Sequence, residues 1–170
     1  MQDSRSKTIG VLSDTHLSRP DDQFIKDVAA AFAGCDIIIH AGDLTNREIL
    51  DVFAGKELYA VHGNMCSFST RSALPESRTF TVEGYTFGLY HGDGLGYDLE
   101  TGLITRFDDA DCIIFGHTHR PLVTEFGSVL LVNPGSFRGS GRYGSSGTYA
   151  VISLTPDGLS AAIHSLQTKG

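Results

Sequence analysis

The strongest constraint on the fold is a repeated change of hydrophobic period along residues 8–62. Residues 8–13 form a short apolar run of buried-strand length, and residues 21–33 then carry Phe24, Ile25, Val28, Ala31 and Phe32 at helical spacing. A strand at 37–40, a helix near 47–53 and a strand at 58–62 repeat the unit, as crossovers in a parallel sheet require. After Gly63 the rhythm changes. Residues 78–82 and 86–90 flank Glu83-Gly84-Tyr85 as a hairpin, and a helix over 97–107 and a strand at 112–115 follow. From residue 122 the pattern is all strand, at 122–125, 129–132, 148–154 and 159–166, with turns at 126–128 and 156–158. The expected fold is α/β, a four-layer αββα sandwich of two mixed β-sheets flanked by helices. A length of 170 residues suits a single domain over 1–170.

The polar residues that need explaining sit where strands end. Ser13-Asp14-Thr15-His16 follows the first strand, Gly42-Asp43 the second, Gly63-Asn64 the third, His91-Gly92-Asp93 the fifth and Gly116-His117-Thr118-His119 the sixth. Ligands bind in open α/β sheets at the carboxyl ends of strands, where the loops converge on one crevice. Asp14 with His16, and His117 with His119, are i, i+2 pairs whose members project to the same side of an extended chain. One His or Asp beside a strand is ordinarily a turn former or a structural hydrogen-bonding group. Five strand ends bearing such residues point instead to a metal centre. Imidazole, carboxylate and an Asn carbonyl suit manganese, iron, zinc or cobalt, and no thiolate set points to structural zinc or a cluster. Two divalent ions bring four positive charges against two from Asp14 and Asp43, a surplus able to hold one hydroxide and one phosphodiester anion.

This ordered set resembles the calcineurin-like metallophosphoesterase superfamily over nearly the whole chain. The short length and Asn133-Pro134-Gly135-Ser136 resemble its small YfcE-type phosphodiesterases and the retromer subunit of the same fold. The resemblance implies that Asp14, His16, Asp43 and His119 hold one ion and Asp43, Asn64, His91 and His117 the other, with Asp43 bridging. It implies manganese foremost, with iron, zinc, cobalt or nickel as alternatives. It also implies a metal-bridging hydroxide that attacks phosphorus in line in a small phosphate ester. The competing expectation is a catalytically weak or inactive metal-binding scaffold that docks protein partners.

The sequence departs from the family after Gly63-Asn64, where many members place a histidine as general acid and this chain has Met65 and then Cys66. Met65 cannot donate a proton, and a free cysteine near cations favours its thiolate. His62 and Asp93 are the alternative donors. Asp93 also stands where close relatives often have a second histidine. Arg138 and Arg142, in the loop after Ser136, are candidates to join Asn64 in holding a substrate phosphate, or else solvated surface charges. That loop contains Gly139-Ser140-Gly141-Arg142-Tyr143-Gly144, which matches the dinucleotide fingerprint in letters. It leads into a strand where the fingerprint needs a helix, so it reads as a loop.

Composition narrows the partners. Thirteen basic against twenty acidic residues give a net charge of −7, which disfavours binding along duplex nucleic acid. No apolar run approaches the roughly 20 residues of a membrane helix, and residues 1–7 resemble neither a secretory signal nor an anchor. Three cysteines, Cys35, Cys66 and Cys112, suit a reducing compartment, and the expected location is the cytoplasm. The oligomeric state is left open by the sequence.

Overall fold

Strand β1 (Lys7–Leu12) alternates its side chains between two buried environments, and this alternation organises the layers. The computed structural model describes residues 6–139 and 146–167. Ile9 and Val11 face a second sheet, whereas Leu12 faces helix α1 (Asp22–Phe32). Helix α1 starts where Asp21 accepts a hydrogen bond from the Phe24 N–H at 2.7 Å, and it buries Phe24, Val28 and Phe32 at helical spacing. Gly10 lies beneath this helix, where a Cβ would collide with Phe32.

Strand β2 (Ile37–His40), the 3₁₀-helix Arg47–Phe53 and β3 (Glu57–Ala60) complete the first run. The helix expected near 47–53 is a 3₁₀-helix: Asn46 supplies no side-chain cap, and Ile49 and Phe53 are buried with Leu50 and Val52 packed against the same core. A short helix, α2 (Phe68–Ala73), escapes the periodicity reading. It is capped by Ser67, which accepts from the Thr70 N–H, and its Phe68 points outward at 87% exposure. The hairpin is β4 (Ser77–Val82) and β5 (Tyr85–Tyr90). Helix α3 (Leu99–Arg106) is shorter than the expected 97–107 because Asp98 caps it through the Thr101 N–H, leaving Tyr97 outside. Strands β6 (Cys112–Ile114), β7 (Leu122–Phe126), β8 (Val129–Asn133), β9 (Thr148–Thr155) and β10 (Gly158–Ser165) follow. The glycine-rich loop at 140–145, with Arg142, lies outside the described residues.

The strands form two five-stranded sheets, ordered β10-β9-β1-β2-β3 and β4-β5-β6-β8-β7. Both are mixed. β1-β2-β3 are parallel in one and β5-β6-β8 in the other, with antiparallel strands outside them. Ile9, Val11, Ile37 and Ile39 from the first sheet pack against Phe87, Leu89, Ile114 and Val132 from the second. Helix α1 covers the outer face of the first sheet, and α3 covers that of the second through Leu103 with Ile113 and Leu131. This is the expected four-layer sandwich. Burial of apolar area at roughly 25 cal/mol per Å² on three faces is its main stabilisation. Cys35 and Cys112 sit in these cores, and burial pushes both thiols up. No helix among the described residues is long and apolar enough to cross a membrane.

Candidate metal centre

The loops after β1, β2, β3, β5 and β6 carry the candidate ligands, and the seam between the two sheets brings them together. Asp14, Asp43 and His91 are buried, His119 is half-buried, and His16, His117 and Asn64 are exposed. Two groups of possible ligands result, one of Asp14, His16 and His119 and one of Asp14, Asp43 and His91. Within each group the donor atoms lie within 4.8 Å of one another. Asp14 belongs to both groups. The His117 ring stands 5.2 Å from the His91 ring, edge to face, at the border of the inner group.

Local backbone conformation aims these side chains. Asp14, His16, Asp43, His117 and His119 all have positive φ, between 48° and 67°. Such a conformation is uncommon for non-glycine residues, and five ligand candidates sharing it indicate strain held by the surrounding fold. The hold is visible in the hydrogen bonds. The Asp14 N–H donates to Gly42 O and the His16 N–H to Asp43 O, tying the β1 and β2 loops together. Gly63 permits the closest approach: a Cβ there would strike Asp43 Oδ1 and come within 2.7 Å of His91 Cδ2.

Each carboxylate has one oxygen committed to the protein. Asp14 Oδ2 lies 2.7 Å from Ser13 Oγ and accepts from the His117 N–H at 3.3 Å. Asp14 Oδ1 is buried and has no hydrogen bond, although His119, His16 and His91 Nε2 lie 3.1, 3.8 and 3.8 Å away. Asp43 Oδ1 accepts from the Met65 N–H at 2.7 Å, and its Oδ2 lies 3.2 Å from His91 Nε2. His91 Nδ1 donates to Ala41 O at 2.7 Å, so Nε2 is the atom presented to the carboxylates, and it too is buried without a hydrogen bond. Buried polar atoms are ordinarily satisfied. An oxygen and a nitrogen lone pair converging unsatisfied in one cluster fit a cation.

The charges respond accordingly. Burial raises the Asp43 carboxyl, but the adjacent His91 imidazole and the Met65 N–H outweigh it and hold the group below the usual carboxylate range. Burial lowers His91, and Asp43 and Asp14 more than reverse this, raising it above an ordinary imidazole. His40, directly behind, is fully buried; its Nδ1 accepts from the Gly42 N–H at 3.1 Å and its Nε2 lies 3.2 Å from Thr15 Oγ1. Burial and the neighbouring His91 push it down to about 3.

Several positioning residues have a role that the sequence motifs containing them do not reveal. Asn133 is buried; its Nδ2 donates to Gly116 O and Thr118 Oγ1, both at 3.0 Å, and its Oδ1 accepts from the Gly135 N–H. It therefore fixes the loop bearing His117 and His119. Ser136 Oγ donates to Asp14 O at 2.9 Å. Cys66 accepts a hydrogen bond from the Gly63 N–H at 3.3 Å and closes the turn that carries Asn64 and Met65. Of the substrate candidates, Arg138 pairs with Asp21 at 2.9 Å. No hydrogen bond or ion pair links the side chain of His62 or Asp93 to the ligand cluster among the described residues. His62 is half-buried with Nδ1 unpartnered, and Asp93 accepts the Tyr90 hydroxyl through its backbone carbonyl.

The calcineurin-like phosphoesterase superfamily domain matches residues 8–157, which includes every candidate ligand. The chain belongs to this superfamily. A probable metallophosphoesterase of Methanocaldococcus jannaschii is 37% identical over 132 residues, spanning 75% of this chain and 67% of that protein. A phosphodiesterase of the same organism is 24% identical over 145 residues, spanning 75% and 82%. In fold the chain is similar to vacuolar protein sorting 29 of Cryptosporidium parvum, with a TM-score of 0.74 at 17% identity over 96% of this chain and 99% of that one. A superfamily of this kind implies divalent metal ions, and the donor set described above fits them.

Proposed function

We propose that the chain is a phosphodiesterase with a dinuclear metal centre, acting on small phosphate esters. The observation that carries the reading is the pair of buried, unsatisfied atoms, Asp14 Oδ1 and His91 Nε2, at the meeting point of two ligand groups. Asp14, His16 and His119 would hold one ion and Asp43, His91, His117 and Asn64 the other. Asp43 would be shared between the ions, as the resemblance implies, and Asp14, a member of both ligand groups, would be the second carboxylate within reach of both. Bound divalent ions, manganese foremost, would lower the pKa of water to make a nucleophile and neutralise charge developing on the phosphoryl oxygens.

The protein's own residues do the rest. Ala41 O fixes the His91 ring, and Asn133 and the His117 N–H bond to Asp14 fix the β6 loop, so that the ligands are set before substrate arrives. Exposed Asn64 stands at the rim, where it can meet a phosphoryl oxygen. The side chain of Met65 is 59% exposed beside it and offers no proton. This arrangement suits esters whose alcohol departs without help.

Hydrolysis of bis-p-nitrophenyl phosphate, measured with manganese and after chelation, tests the reading together with metal analysis. Turnover that appears with manganese and vanishes on chelation is expected, with two ions bound per chain. Tight binding of two ions without turnover would replace the enzyme with a metal-holding scaffold.

A further inference from the structure

Beside the metal centre lies a second concavity that none of the proposed ligand chemistry uses. It has a volume of about 720 Å³ and shares His117 with the centre. Tyr97, just before α3, Leu99 in its first turn, Leu122 of β7 and buried Phe115 are among its lining. Arg120 stands in the same lining. A phosphoryl group needs only a small part of such a volume, whereas clefts of roughly 300–1,000 Å³ seat organic ligands.

Two features define what belongs there. Tyr97 is fully solvent-exposed, an aromatic ring outside α3 because the helix begins only after the cap at Asp98. An uncovered ring at the edge of a cleft that also holds Leu99, Phe115 and Leu122, beside the polar Glu100 and Thr118, is suited to covering a flat, apolar partner. The cleft is also continuous with the centre through His117, so a group entering it stays attached to a phosphorus held at the ligands. Arg120 adds a planar cation able to lie against a ring or to meet an oxygen of the ester.

We infer that this cleft is a specificity subsite that seats an aromatic ring carried by the ester group of the substrate, with Tyr97 as its principal recognition residue. The inference rests on the phosphodiesterase reading and narrows its substrate class to aryl-bearing esters. Tyr97 acts by covering the ring. Removal of its side chain therefore lowers discrimination between ring-bearing and ring-free ligands.

The test is binding of phenylphosphonate and methylphosphonate, by calorimetry to the manganese-loaded protein and by amide chemical shifts to the zinc-loaded protein, whose diamagnetic ion leaves the signals near the centre visible. Phenylphosphonate is expected to bind about tenfold more tightly, the gain from burying one ring. It alone should shift the amides of Tyr97, Asp98, Leu99, Arg120 and Leu122. In Tyr97→Ala the affinity ratio should fall towards one; the exposed position makes misfolding no explanation, and the circular dichroism spectrum checks this. Equal affinity of the two phosphonates for the wild type overturns the subsite while leaving the metal centre intact. So does a preference that survives Tyr97→Ala, or one whose shifts centre on Met65 and Phe68. Binding of neither phosphonate overturns the phosphodiesterase reading itself, and the subsite with it.

Discussion

His91 Nε2 and Asp43 Oδ2 face each other at 3.2 Å inside the protein, outside hydrogen-bond geometry, with His91 held in place by Ala41 O on its other nitrogen. His91 and Asp43 favour each other's charged forms in the metal-free protein, and a cation that binds them only in the folded chain adds to stability by mass action. Manganese at about 100 times its dissociation constant should therefore stabilise the chain by about 2.7 kcal/mol. For a chain of this size that is a rise in Tm of about 5–10 °C. Calorimetric scans with manganese and with chelator should show it in the wild type, and Asp43→Asn should lose most of it. Equal Tm values in the two conditions would remove the centre.

Gly63 touches that same pair. Gly63→Ala places a Cβ against Asp43 Oδ1 and His91 Cδ2, so Asp43 must turn away from its hydrogen bond with Met65. Activity should fall by at least about 100-fold with bound metal reduced, a loss on the scale of a misplaced ligand. Metal content and kcat/KM measured together check it, and a fully loaded, active variant would contradict the packing described.

His40 sets a pH dependence of stability. Its folded-state pKa is about 3 against 6.5 unfolded, so between these values the unfolded chain binds a proton that the folded chain refuses. The neutral form's contribution is fully present above pH 6.5 and is lost as pH falls towards 3. The slope is at most about 1.4 kcal/mol per pH unit for this one group. Urea unfolding of the metal-free protein at pH 7 and pH 5 should show the decline, and His40→Gln should flatten it by up to about 2 kcal/mol. A variant with the wild-type slope would assign the acid sensitivity elsewhere.

Met65 stands where many relatives carry an acid. Its backbone N–H bonds to Asp43 while its side chain is exposed, so Met65→His can add a proton donor without disturbing that bond. General acid catalysis contributes roughly 100- to 10,000-fold, and only when the leaving alkoxide is poor. Alkyl diesters should gain most from the substitution and nitrophenyl diesters least. Rates across a series of aryl and alkyl diesters test this. A shallow dependence on leaving-group pKa in the wild type would mean that another residue, such as His62 or Asp93, already gives the proton.

Much of the layer order was legible in the sequence, because the period of burial is written in neighbouring residues. Strand β2 occupies residues 37–40 as expected, and α1 differs from its expected span by one residue at each end. The elements that were misjudged are those whose local pattern is weak: the 3₁₀-helix after Asn46, and α2, whose only large apolar residue faces solvent. Arg138 illustrates a different gap, since a charge in a loop near a motif says nothing of its partner, and here the partner is Asp21.

By itself the sequence determined which residue types stand at the strand ends, and therefore the superfamily and the chemistry of the donor set. The tertiary structure alone decided which of their atoms meet. Positive φ at five candidate ligands, the junction at Asp14 Oδ1, and the support of Asn133 and Cys66 arise from contacts between segments distant in the chain or turned by their neighbours. Spacing constrains only where a side chain begins. Where its lone pair ends depends on the packing of two sheets against each other, and the cleft at Tyr97 exists only because β6, β7 and α3 come together there.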